Sequence, residues 1–161
     1  MHRYFIPSLL DSYGSMAKKK LVMAFGSFDI IHPGHLAYLK KAREMGDRLI
    51  VVVARDSSIE MIKGRKPFFD QKTRLRMVGA LRYVDKAVLG NRLGRHTDKY
   101  DIIADYGPDV IVFGYDQRVN PSEVRRWAKR HGLKIRIVRA KEALDRRIYK
   151  SSKIRELLTT I

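Results

Sequence analysis

The chain has no cysteine in its 161 residues, which excludes disulfides, thiolate metal sites and thiol catalysis. No apolar run approaches the ~20 residues needed to span a bilayer, so no membrane partner is expected. At the N-terminus His2 and Arg3 precede Phe5–Leu10, but Pro7 interrupts that stretch and it is too short for a secretory signal core. A cytoplasmic protein is therefore expected. Acidic residues are also scarce: 17 Asp and Glu stand against 34 Lys and Arg, a formal net charge of +17. Such an excess attracts polyanions, whether nucleotides, nucleic acid or anionic lipid. The cations are scattered through every segment, which describes a basic surface and names no function. A basic nucleic-acid-binding protein is the non-enzyme alternative that charge leaves open.

What is present suits one globular domain, with 45% hydrophobic and 32% charged residues. Met1–Lys20 has no sustained period, contains Pro7 and Gly14, and ends in three lysines. It is expected to be a flexible or misassigned leader, with Met16 as an alternative start. From Leu21 onward, apolar runs of strand length alternate with amphipathic stretches. Strands are expected at Leu21–Phe25, Arg48–Ala54, Ala87–Leu89, Asp109–Phe113 and Lys134–Val138. Helices are expected at Gly34–Glu44, which Gly46 stops, and at Ser57–Lys63, Gln71–Leu81, Lys99–Tyr106, Pro121–His131 and Ser152–Leu158. This alternation implies right-handed crossovers and a parallel sheet covered on both faces. The expected fold is α/β: a Rossmann-like, doubly wound five-stranded parallel sheet in three layers. Ligands in such sheets bind beyond the carboxyl ends of the strands where the winding reverses, so the loops after strands one, four and five matter most.

The first of these loops reads Gly26-Ser27-Phe28-Asp29-Ile30-Ile31-His32-Pro33-Gly34-His35. Gly26 permits close approach of backbone to a ligand. Pro33 pre-sets a helical φ and lacks an amide proton that a helix start would leave unpaired. Free amides and the positive dipole end at that start make an anion site. His32 and His35, three apart, fall on nearly one face and can donate to phosphate oxygens. One lone histidine would read as a cap or a satisfied polar residue. Two of them bracketing Pro-Gly, between a buried strand and an amphipathic helix, point to phosphate. Near the other end, Ser151 and Ser152 can cap a helix whose apolar side is Ile154, Leu157 and Leu158. With Lys150, Lys153 and Arg155 around them, the same hydroxyls make a second phosphate cradle.

Gly26-Ser27-Phe28-Asp29 with His32-Pro33-Gly34-His35 resembles the signature of the nucleotidyltransferase superfamily that carries a His-x-Gly-His motif. By that resemblance residues 21–161 form the nucleotidyltransferase domain, His32 and His35 are catalytic and contact the triphosphate, and Ser27, Phe28, Pro33 and Gly34 line the ATP site. Ser151, Ser152 and Arg155 resemble the element that holds the β- and γ-phosphates. Lys63–Pro67, Thr73–Val78, Tyr83–Gly90 and Gly114–Gln117 are most similar to archaeal FAD synthetases, which adenylate FMN. The lack of cysteine near the C-terminus departs from several of them without touching the phosphate chemistry. The resemblance implies ATP and FMN as substrates, Mg²⁺ as the divalent cofactor and a homodimer. Asp116 is assigned to nucleotide binding, and Lys63, Arg65 and Lys66 are candidates for an acceptor phosphate. Asp29 is a candidate indirect metal ligand. A cytidylyltransferase using CTP and glycerol 3-phosphate is the runner-up.

Overall fold

The computed structural model describes residues 18–92, 98–140 and 154–156. Residues 1–17, Ser151 and Ser152 lie outside them, so the leader and the hydroxyl pair of the second cradle carry no structural account. The elements follow the order β1 Leu21–Gly26, α1 Pro33–Arg43, β2 Arg48–Val53, α2 Asp56–Lys63, α3 Gln71–Gly79, β3 Lys86–Leu89, α4 Asp101–Tyr106, β4 Val110–Phe113, α5 Pro121–Arg130 and β5 Arg136–Arg139. All strand pairs are parallel, in the spatial order β3-β2-β1-β4-β5. The winding therefore reverses between β1 and β4. This is the doubly wound Rossmann-like sheet.

Side-chain alternation explains why the central strands carry nearly unbroken apolar runs. Val22, Ala24, Leu49, Val51, Val53, Val110 and Val112 face one side, where Leu39 and Ala42 of α1 and Val78 of α3 cover them. Met23, Ile50, Val52, Ile111 and Phe113 face the other, against Ile102 and Ile103 of α4 and Val124, Trp127 and Ala128 of α5. A strand buried on both faces needs apolar residues at every position, and β-branched ones suit the pleat. Two helices begin on proline with the preceding side chain closing the first turn: His32 accepts from the Gly34 amide, and Asn120 from the Ser122 amide. Among the described residues no helix is long and apolar enough to cross a membrane.

Three boundaries differ from expectation for identifiable reasons. β5 starts at Arg136, where the ladder to Asp109 begins at 2.9 Å, two residues after Lys134. That shift puts Arg139 at the carboxyl end of the strand. α4 starts at Asp101, and Lys99 pairs instead with Glu123 at 3.1 Å. Gly46 does not cap α1, which ends on Glu44 with right-handed geometry. A Cβ on Gly46 would lie 2.7 Å from the Lys20 carbonyl, so the residue is small because β1 begins against it.

The reversal point has its own construction. β1 pairs with β4 only as far as Ala24 opposite Val112, yet it continues with β2 to Gly26 opposite Val53. Tyr38 of α1 reaches into the divergence, donating to the Val112 carbonyl at 2.7 Å and accepting from the Phe25 amide at 3.3 Å. Gln117, beyond β4, donates its side-chain amide to the Phe25 carbonyl. Burial pushes the Tyr38 hydroxyl far above its usual pKa, so it stays a donor. Tyr38→Phe leaves a carbonyl and an amide unpaired where the strands part. A loss of about 1–3 kcal/mol is expected, read from the urea-unfolding midpoint at unchanged slope.

Candidate active site

The loop after β1 is built around a folded-back aromatic ring. Phe28 takes a left-handed backbone conformation, φ 48°, which costs a bulky residue roughly 1–3 kcal/mol. Its ring is fully buried and comes so close to Gly26 that a Cβ there would sit 2.6 Å from it. On its other side the ring meets His35, with centroids 5.1 Å apart. Gly26 and Phe28 are thus a packed pair. The reversal of the chain they produce aims the following residues at the start of α1.

At that start the two histidine rings stack, with centroids 3.8 Å apart and 27° between planes. His32 Nδ1 accepts from the Gly34 amide at 3.1 Å, so a neutral His32 carries its proton on Nε2 and presents it as a donor. Burial holds His32 below its usual pKa, with Asp116 opposing. His35 is pushed down to about 3 by burial, then by His32 and by Lys63, and the backbone of Ile30 does not offset these. Its Nδ1 is buried with no hydrogen-bond partner of good geometry among the described residues. Both rings are therefore neutral at physiological pH. His32 thus presents Nε2–H as its donor, and His35 Nδ1 lies near the Ile30 backbone without a well-formed bond among the described residues.

Around this start stand the cations. Lys63, the last residue of α2, donates to the Ser27 hydroxyl at 2.9 Å. Burial and the neighbouring Arg65 lower its pKa, while Asp29 and Asp116 oppose them. Arg65 and Arg155 both approach Oδ2 of Asp29, at 3.6 Å and 3.3 Å. Asp29 is almost fully buried, and its Oδ1 accepts from the amides of Phe68 and Phe69 at 2.6 Å and 3.3 Å. Both its oxygens are thus engaged by protein groups. Lys66 is exposed and makes no polar contact with the described residues. Asp116 is exposed after β4 and acts electrostatically on His32, Lys63 and Tyr38, so it faces the same crevice. It is free of the helix start near Pro121, which Asn120 caps.

Four residues outside the sequence-derived set build the site. Arg74 is completely buried and donates to three separate loops: to the Ser27 carbonyl after β1, to Ala54 O after β2 at 2.7 Å, and to Phe69 O at 2.9 Å. It also pairs with Asp56 at 2.8 Å. Arg139 does the same for the loop after β4, donating to Gly114 O, Gln117 O and Val119 O at 2.7–3.1 Å. Tyr38 and Gln117 hold the strand divergence. The spacing of Arg74 from Val78 and Leu81 on one helical face was a signal that it points inward. Nothing in the sequence marked Arg139, because its place depends on where β5 begins.

Comparison with known proteins follows the same lines. A family model described as cytidylyltransferase-like matches residues 23–157. An FAD synthase of Aciduliprofundum boonei is 45% identical over 124 residues, covering 77% of this chain and 80% of that protein. An FAD synthase of Thermoplasma acidophilum is 40% identical over 135 residues, 84% of this chain and 91% of that protein. The crystal structure of a lipopolysaccharide core biosynthesis protein from Thermoplasma volcanium has a TM-score of 0.70 and 38% identity, covering 78% of this chain and 99% of that one. A helix start carrying two stacked histidines at the reversal point of a doubly wound sheet, a matching family model and relatives at this identity lead to one assignment: the chain belongs to the cytidylyltransferase-like family of nucleotidyltransferases.

Proposed function

We propose that this chain transfers AMP from ATP to FMN, giving FAD and pyrophosphate. The observation that carries the reaction class is the pair of stacked, neutral histidines at the start of α1, with the His32 proton on Nε2 and His35 Nδ1 lacking a well-formed hydrogen bond among the described residues. The choice of ATP and FMN is supported by relatives named FAD synthase at 45% and 40% identity. These do not favour the CTP-dependent alternative. In this reading the FMN phosphate attacks the α-phosphorus in line and pyrophosphate leaves. Phosphate is already a competent nucleophile, so the protein contributes position and charge stabilisation. Nε2–H of His32 and a ring N–H of His35 donate to the α-phosphate oxygens, while Arg155 with Ser151 and Ser152 restrains the leaving group. Lys63 and Arg65 grip the acceptor phosphate, and Asp116 meets the nucleoside of the donor.

Mg²⁺ belongs to this proposal as a companion of the triphosphate. Among the described residues no three His, Asp or Glu side chains stand together as a metal site, and both oxygens of Asp29 are engaged. A hard cation that keeps its waters and binds phosphate oxygens needs no such cage. No step here requires a metal held by side chains.

Three outcomes check the proposal. Pyrophosphate release with Mg²⁺ is expected for ATP plus FMN and not for CTP plus glycerol 3-phosphate; release with the latter pair alone sinks the assignment. His35→Ala should lower turnover by roughly 10²–10³ with the KM for ATP changed little, the scale for losing one transition-state donor. If ATP binding collapses while turnover survives, the histidine only binds. The depressed His35 pKa also predicts a pH effect on stability. Between about 6.5 and about 3 the unfolded chain takes up a proton on this residue that the folded one refuses, so stability falls as pH drops through that window. Replacing His35 by Asn should flatten that slope in denaturation curves collected from pH 7 to pH 4.

A further inference from the structure

The large apolar side chains that stay exposed among the described residues are Leu36, Met61, Ile62 and Phe68, at 38%, 69%, 73% and 49%. Each stands close along the chain to a residue of the site. Leu36 follows His35 on the first turn of α1, Met61 and Ile62 lie on the turn of α2 that delivers Lys63 to Ser27, and the Phe68 amide is bonded to Asp29 at 2.6 Å. Exposed apolar residues placed beside a site are candidates for its binding surface.

Phe68 is the best defined of the four. Its backbone is tied to a buried carboxylate, its ring packs edge-on against Phe69 at 5.0 Å, and the Arg155 guanidinium stands 5.9 Å from its centroid. A ring held on several sides and still half exposed is a rigid platform for another flat ring. Its position also selects which substrate ring. Asp116 follows β4, whereas Phe68 lies between α2 and α3, after β2, and the strand order puts β2 and β4 on opposite sides of β1 and its histidines. With the donor nucleoside on the β4 side, the β2 side receives the acceptor.

We infer that Phe68, held between Phe69 and Arg155, is the platform on which the acceptor's isoalloxazine ring stacks, and that it selects FMN over phosphates without a ring. This assignment rests on the reading of the acceptor as FMN. The class it specifies is a phosphomonoester bearing a broad, flat, largely apolar heterocycle. The cations Lys63 and Arg65 lie beside Phe68 along the chain, where such a molecule's phosphate would meet the donor.

Steady-state kinetics on the full chain test it, with FMN and ribitol 5-phosphate as acceptors and riboflavin as a ring without phosphate. Phe68→Ala and Phe68→Leu should each raise the KM for FMN about tenfold or more, the scale of losing one aromatic stack, while the KM for ATP and turnover at saturating FMN stay within about threefold. Phe68→Trp should restore FMN, Ile62→Ser should give a smaller rise, and riboflavin should lose potency as an FMN competitor in the alanine variant. The preference for FMN over ribitol 5-phosphate should shrink by the same factor. An unchanged KM for FMN overturns the inference. So does an equal rise for ATP, which would mean that the ring only supports Asp29 and Arg155. A shift from dimer to monomer by sedimentation, with kinetics unchanged at high protein concentration, would assign the patch to a second copy instead. A wild-type chain that makes no FAD sinks the FMN reading itself. FAD made normally by Phe68→Ala sinks the platform alone.

Discussion

The divergence of β1 from β4 is the constraint from which the rest of the site follows. Two parallel strands that stop pairing in the middle of a sheet leave backbone donors and acceptors open, each costing about 1–3 kcal/mol if buried and unmet. Here the ladder ends at Ala24 and Val112, and the hydroxyl of Tyr38 and the side-chain amide of Gln117 complete it. Tyr38 is also three residues beyond His35 on one helix. The bond that closes the gap between strands thus fixes the rotation of α1, and with it the direction in which the histidines point. The crevice and the donors over it have a single structural origin.

The same backbone shortage accounts for part of the chain's positive charge. At the carboxyl edge of a parallel sheet the carbonyls of the outgoing loops point outward without partners. Arg74 satisfies Ser27, Ala54 and Phe69; Arg139 satisfies Gly114, Gln117 and Val119; Arg55 satisfies Gly90 at 2.7 Å. Guanidinium is suited to this, since its fixed fork can reach several oxygens at once and cannot lose its proton. Part of the formal charge of +17 therefore has a structural task besides attracting a polyanion. The three arginines are fold-building residues placed where they also keep the potential of the active edge positive.

Much of this was legible in the sequence, and the physical reason is locality. The strand runs, the helix starts on Pro33 and Pro121, and the candidate anion site proposed at His32–His35 depend on residues close together along the chain. α/β alternation then admits few topologies, so the reversal point and its loops followed. What escaped depended on register and on contacts distant in sequence. Arg139 reaches the site only because β5 begins at Arg136, and Arg74 joins three loops across 20 and 47 residues. Asp29 was a candidate indirect metal ligand from its place in the loop. Its carboxylate also holds Phe68, Phe69, Arg65 and Arg155 together, and no periodicity in the chain foretold such a cluster.

That acid has a further consequence for the proposed reaction. Arg65 and Arg155 come from segments 90 residues apart, and two guanidinium groups brought together in a partly buried place repel each other. A carboxylate between them lowers that repulsion and holds both before any triphosphate arrives, while the neighbouring Lys63 leaves the cluster positive. In the proposed reaction such pre-set donors would need little reorganisation as charge builds on the transferring phosphorus, which is where electrostatic catalysis gains most. Near-complete burial serves the same end, because a carboxylate open to water would lose its hold on both arginines. A buried negative charge between two arginines is thus part of how the positive charges of the candidate site are kept in place.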